Sequence, residues 1–283
     1  MTSINPFRVI MNIENRNGEF IKLGLGQSLF ISIAYVILLN LFGIFILIPY
    51  GLSNKNLIIS SIYEVVIIIT IFSLLVWVFI PEFYMPKPDI KSYASSEGNV
   101  TYKNVILLIL FIIGFKLMFD STLINLIKMT SSFNFIVNYI RDMAEIPAVL
   151  ISYEIVFGPI LEEILLRGII LNGLAKTYSN KVAIIASAVI FGLIHFNIYQ
   201  FCMAFLFGIF LGFLYLKTHS IILCILAHIF HNIYTSVTFL FLPKYFSVIS
   251  NSILTIFLIC ILGLLLMVIA INRISHNYYN NKI

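Results

Sequence analysis

Long apolar runs separated by short polar stretches dominate this chain. Taking about 20 largely apolar residues as the length that crosses a bilayer, eight spans are predicted, at roughly 28–48, 57–80, 104–127, 147–174, 181–198, 199–217, 220–241 and 246–271. The third is interrupted by Lys116 and Asp120, which stand i, i+4 and can pair with each other on a helix. The fifth and sixth are joined with almost no polar linker around Asn197-Ile198-Tyr199-Gln200, so they are expected to form a tight helical hairpin. The fold class this implies is all-α: a polytopic membrane helix bundle of about eight transmembrane helices.

Composition agrees with the pattern. Of 283 residues 61% are hydrophobic and 10% charged, with a mean hydropathy of +1.06; soluble domains carry about 25% charged residues. No polar stretch is long enough for a separate soluble domain. The polar first residues and the length of the first apolar run are expected to form no cleavable signal. Cys202, Cys224 and Cys260 all fall in apolar runs without a C-x-x-C partner and read as packing residues. Gly208-x-x-x-Gly212 reads as a close-packing helix face.

The net charge of +5 could suggest a nucleic-acid partner, but the positions of the charges account for it otherwise. With eight spans and the N-terminus inside, the outer segments hold only Lys55, Lys128, Arg141 and Lys244, and the other non-membrane lysines and arginines fall inside. That asymmetry puts both termini in the cytoplasm of a multi-pass cell-membrane protein. The expected partners are the lipid bilayer and a peptide or membrane-anchored protein, and no nucleic acid. Three regions follow. Residues 1–146 hold three spans, a cytoplasmic loop at about 81–103 and an amphipathic outer segment at about 134–145 that would lie on the membrane. Residues 147–241 hold four spans, and 242–283 the final span and a cytoplasmic tail.

Chemistry concentrates in Gly158-Pro159-Ile160-Leu161-Glu162-Glu163-Ile164-Leu165-Leu166-Arg167-Gly168, inside the fourth span. A charge at the bilayer centre costs about 2.5–3.5 kcal/mol on insertion scales, so protein or water must solvate these three. Glu163 and Arg167 are i, i+4 and share a helix face, while Glu162 is turned away by about 100°. The arginine thus satisfies one glutamate and leaves the other for a general base or a metal ligand. The plainer reading is a buried ion-pair cluster that pins the helix. Further along, Phe191 and His195 are i, i+4 near the end of the fifth span, and His228 and Asn232 are i, i+4 in the seventh. At about 1.5 Å of rise per residue from the inner ends of their spans, Glu162, His195, His228 and Asn232 lie about 18, 21, 12 and 18 Å deep, all in the middle band of the membrane. Glu64 and Glu154 are further intramembrane carboxylates that could line the same cavity or simply meet a backbone or hydroxyl group.

E-E-x-x-x-R, then F-x-x-x-H, then H-x-x-x-N on successive helices resembles the Abi family of intramembrane endopeptidases, the CAAX proteases and bacteriocin-processing proteins called CPBP. The matching residues are Glu162, Glu163 and Arg167; Phe191 and His195; His228 and Asn232; the resemblance covers about residues 147–240. Leu166 stands where the family commonly has an aromatic. The resemblance implies hydrolysis of a peptide bond within the bilayer, on a prenylated C-terminal peptide or a leader peptide, with Glu162 activating water. It implies catalytic roles for Glu162, His195, His228 and Asn232, with Glu163, Arg167 and Phe191 supporting them. His231 is a less central, supporting group. Two histidines and a glutamate make an acceptable zinc shell, so Glu162, His195 and His228 would be the ligands of one divalent metal if the enzyme is a metalloprotease. The alternative uses no cofactor, with Glu162 as direct base and the histidines and asparagine steadying the oxyanion. Two other functions compete: a bacteriocin self-immunity protein that acts by binding, and a proton-coupled transporter, which lacks the expected repeated halves.

Reporter fusions at the two ends are expected to place both in the cytoplasm. Opposite locations would mean that a span has been miscounted, most readily the interrupted third.

Overall fold

The apolar runs fold as helices. In the computed structural model of the chain, residues 13, 18–37, 84–86, 100–127, 131–145, 150–242, 244–249 and 252–280 are described. Among them are α1 (Leu25–Ile37), α2 (Tyr102–Ile127), α3 (Ser131–Ala144), α4 (150–175), α5 (Asn180–Leu193), α6 (Ile198–Thr218), α7 (Ile221–Phe241), α8 (Tyr245–Ile249) and α9 (Ile253–Asn280). A short antiparallel ribbon pairs β1 (Gly18–Phe20) with β2 (Tyr84–Pro86), Gly18 opposite Pro86 and Phe20 opposite Tyr84. The architecture is an all-α membrane bundle. Stretches of α2, α6, α7 and α9 are long and apolar enough to cross a bilayer, and α1 and α5 are shorter apolar helices. The expected span at 57–80, the first span beyond Ile37, most of the 81–103 loop and Glu64 lie outside the described residues.

One expected span ends early, and two other expected elements take definite form. The third span is one uninterrupted helix, because Lys116 Nζ and Asp120 Oδ1 meet at 3.1 Å with both side chains wholly buried. The fifth span ends at Leu193, short of the predicted 198. Asn197 ends it: its Oδ1 accepts from the backbone N–H groups of Tyr199 (2.9 Å) and Gln200 (3.2 Å), starting α6 at once. The hairpin is therefore tight, but His195 lies in its turn and not in a helix. The amphipathic outer segment is α3, and it packs on α6, α7 and α4, with Ile140 buried and Arg141 and Asp142 exposed.

The fourth span is a continuous helix of unusual pitch. Leu150–Phe157 and Ile164–Leu171 are π-helical and flank an α-helical turn and a half, Gly158–Glu163, with right-handed helical torsions at each junction. Pro159 gives a local reason for the first widened stretch. It removes a backbone donor, and its ring would press on the carbonyl four residues earlier; widening the coil relieves both. Beyond it Leu166, Ile170, Leu171 and Leu174 are fully buried, so α4 is the core of the bundle. The segment leading into α1 is tied to its end by Leu23 N–H donating to Gly173 O at 3.1 Å.

α9 packs along α2, where Gly114 and Gly263 let the backbones touch: a Cβ on Gly114 would come within 2.6 Å of Gly263 O. Its remaining surface exposes Phe257, Leu258, Leu262 and Leu265, as expected for a helix facing lipid.

Candidate active site

The site is built around one carboxylate oxygen. Glu163 Oε1 accepts from Arg167 Nη1 at 2.7 Å and from His228 Nδ1 at 2.8 Å. Glu163 and Arg167 are both fully buried, and His228 keeps 4% of its surface. The i, i+4 spacing on α4 forms the ion pair, and α7 brings the histidine to it across the bundle. Arg167 is held on two further sides. Its Nη2 donates to Gly208 O at 3.3 Å, and its guanidinium lies 4.9 Å from the centre of the Phe191 ring. Gly208 also lets α6 lie close on α5, since a Cβ there would meet Ala188 Cα at 3.1 Å. One arginine thus fixes α4, α5 and α6, and through Glu163 it fixes α7.

Glu162, the adjacent residue, is not used in that pair. Its Oε2 lies 3.7 Å from His228 Nε2, and its side chain keeps 20% exposure. The hydrogen positions follow from the partners. A carboxylate paired with arginine only accepts, so His228 donates from Nδ1 and turns Nε2 toward Glu162, an atom that is a lone-pair acceptor when the ring is neutral. The same argument applies to His195, whose Nδ1 lies 2.8 Å from Phe191 O and must donate to it, leaving Nε2 bare. The Phe191 ring stands edge-on to both histidines, at 5.3 Å from His195 and 5.5 Å from His228. Asn232 Nδ2 donates to Glu154 O at 2.8 Å, and its Oδ1 lies 3.1 Å from His231 Nδ1. One N–H of the Asn232 amide remains for a further acceptor.

Phe191 therefore bridges His195 and His228, and Glu162 and Glu163 flank His228. Asn232 is anchored to the first π-helical stretch. One neighbour of the site has no sequence signal. Tyr35 of α1 is buried to 3%, and its hydroxyl is in electrostatic reach of Glu162 and Tyr153; an aromatic in an apolar run does not announce this. His231, expected as a supporting group, lies 3.1 Å from Asn232 through its Nδ1. The Glu154 carboxylate is in electrostatic reach of Glu162, while its backbone carbonyl receives Asn232. An apolar cavity of about 420 Å³ opens beside the His195 turn, between α1 and the α5–α6 hairpin, lined by Leu29, Ile33, Val36, Ile190, Phe196 and Phe201.

The bare Nε2 atoms of His195 and His228, with Glu162, have the donor chemistry of a divalent-metal shell. Among the described residues, however, no three such groups stand close enough together to hold an ion.

Comparison with known proteins places this segment. Residues 144–234 match the family model described as type II CAAX prenyl endopeptidase Rce1-like. The protein named "Putative membrane peptidase YdiL" of Bacillus subtilis (strain 168) is 33% identical over 93 residues, which is 33% of this chain and 38% of that protein. The chain thus spans well under half the length of that relative. No solved structure matches the chain. The matched segment contains Glu162, Glu163, Arg167, Phe191, His195, His228 and Asn232.

Removing the arginine tests what holds the site together. Arg167→Ala leaves Glu163 buried without its cation, at a cost of about 3–5 kcal/mol. Thermal unfolding in detergent is expected to show a clearly lowered midpoint, whereas Arg167→Ala/Glu163→Leu recovers much of it. A single variant of unchanged midpoint would place Arg167 in the chemistry alone.

Proposed function

We propose that the chain is an intramembrane endopeptidase that hydrolyses a peptide bond of a membrane-associated substrate with water activated by Glu162. One observation carries this reading: of two adjacent buried glutamates, Glu163 is engaged by Arg167 and His228, while Glu162 lies 3.7 Å from His228 Nε2, which acts as an acceptor in the proposed reaction. Two acceptor atoms at that separation can each take one hydrogen of a single water. The water oxygen then turns its lone pairs outward, as a nucleophile requires. In the proposed reaction that oxygen attacks the scissile carbonyl carbon as Glu162 takes one of its protons. The carbonyl oxygen becomes the oxyanion, and the remaining N–H of Asn232 donates to it. Glu162 then returns its proton to the leaving nitrogen as the C–N bond breaks, which restores the carboxylate.

Glu163 acts through His228. By holding the hydrogen on Nδ1 it keeps Nε2 an acceptor, and without it the ring could present either nitrogen. Glu162, His195 and His228 have the donor types of a zinc shell, but as arranged among the described residues they do not close on one ion. The steps above need only the side chains. The substrate we propose is an apolar, membrane-anchored peptide, a prenylated C-terminus or a leader peptide. The apolar cavity beside the His195 turn supports that class, because it offers hydrocarbon contact next to the polar site.

Glu162→Gln keeps the shape and removes the base. It is expected to abolish cleavage of a lipidated or leader-type peptide in liposomes while leaving the thermal midpoint unchanged, and Asn232→Ala to lower turnover by about 10²–10³-fold. Cleavage retained in Glu162→Gln defeats the protease reading and favours a self-immunity protein that acts by binding. In a separate test, dialysis of the purified protein against a chelator is expected to leave turnover unchanged. A loss restored by zinc would make the three groups ligands.

A further inference from the structure

We infer that the buried Lys116–Asp120 pair of α2 is a positioning device for the proposed site, acting through His231 to fix the amide of Asn232. As a statement about catalysis this rests on the reading above; as a statement about hydrogen positions it does not.

The inference starts from Asn232. Glu154 O can only accept, so the group facing it at 2.8 Å is the amide nitrogen, and the other face of the amide is Oδ1. Oδ1 in turn can only accept, so the His231 nitrogen 3.1 Å away, Nδ1, carries the hydrogen. A neutral imidazole has one hydrogen, which makes His231 Nε2 a lone-pair acceptor. That atom is buried and takes no hydrogen bond from the described protein groups. A buried acceptor without a donor costs about 1–3 kcal/mol, so the tautomer is stable only if a donor stands nearby.

Lys116 is that donor. Tyr234 is one helical turn beyond His231 on α7, so the two share a face, and Lys116 Nζ lies 5.8 Å from the centre of the Tyr234 ring. Phe115, the residue before Lys116, lies 6.1 Å from the centre of the His231 ring, which brings this turn of α2 to the His231 face of α7. The ammonium lies 3.1 Å from Asp120 Oδ1 as an ion pair, and Nζ makes no hydrogen bond to the described protein groups, so it has hydrogens to give. One water between Nζ and Nε2 completes the link, accepting from the first and donating to the second. Asp120 holds the ammonium in place, and its other oxygen accepts from the Tyr245 hydroxyl at 3.2 Å. The ring itself cannot turn freely, because Phe207 stacks on it at 4.5 Å. The chain of donors therefore runs from Lys116 through His231 to Asn232, and it leaves the second amide N–H of Asn232 for the substrate side.

The hydrogen position can be read directly. In ¹⁵N-histidine-labelled protein in lipid, with His231 assigned by its loss in His231→Gln, we expect wild-type His231 to show a protonated Nδ1 and an unprotonated Nε2. A protonated Nε2 with a bare Nδ1 overturns the inference without any variant. Lys116→Met/Asp120→Leu removes the donor without stranding the aspartate. It is expected to convert His231 to a mixture of tautomers and to lower kcat by about 10- to 100-fold, with KM within about twofold. An unchanged tautomer in that variant overturns the inference whatever turnover does, as does an unchanged kcat. Failure of the protease reading is distinguished by Glu162→Gln, and the labelled-histidine measurement stands apart from it.

Discussion

Glu163 Oε1 is the point on which the rest of the bundle depends. It accepts from Arg167 of its own helix and from His228 of α7. An ion pair inside a membrane protein adds little net stability by itself, because desolvation offsets the attraction. Breaking one is costly, however, because the survivor is left charged and buried. The pair therefore works as a constraint: α4, α5, α6 and α7 must keep the register in which Arg167 reaches Glu163, Gly208 O and the Phe191 ring together. That register also sets His228 beside Glu162. The neighbouring glutamates differ in setting: Glu163 fixes geometry, and Glu162, outside that pair, is the base of the proposed reaction.

The widened pitch of α4 belongs to the same constraint. π-helical turns recur at functional sites because they re-aim side chains within a helix that otherwise continues. Here two such stretches bracket Gly158–Glu163, so the glutamates sit on a regular turn between two displaced ones. The first stretch also offers Glu154 O to Asn232, the contact that orients the amide. The second carries Arg167 and is buried along its whole length. A helix of uniform pitch would rotate these residues differently against α7.

Much of this was legible in the sequence, for stated reasons. Apolar run length gave the bundle, because a bilayer demands backbone-satisfied spans of fixed length. The Glu163–Arg167 and Lys116–Asp120 pairs followed from i, i+4 spacing, which the helices preserve, across the π-helical stretch in one case. The glycines at 208 and 212 do pack tightly, on Ala188 and Ile184. What could not be read was non-local or set by competition. The end of α5 depended on Asn197 preferring to cap the next helix over extending the previous one. The π-helical stretches follow only in part from Pro159, and the second has no sequence signal that we can name. Tyr35 joined the site because of packing partners far away in the chain.

The arrangement of charge around α7 accounts for why these parts occur together. That helix brings His228, His231 and Asn232 and holds no charged residue. It enters the membrane as a neutral segment, free of the cost that a charged side chain would carry. The groups that orient its side chains come from its neighbours. Glu163, backed by Arg167, holds His228 from α4, and Lys116 of the α2 pair lies 5.8 Å from the centre of the Tyr234 ring, one turn from His231. Each of those ion pairs is internal to one helix, so Lys116 with Asp120 and Arg167 with Glu163 are each neutralised within their own span, while Glu162 is left over on α4. The polar chemistry is assembled only when the spans pack, because neither pair alone places a bare nitrogen beside Glu162. Folding of the bundle and formation of the site are thus the same event, and the buried carboxylate shared by α4 and α7 is where they meet.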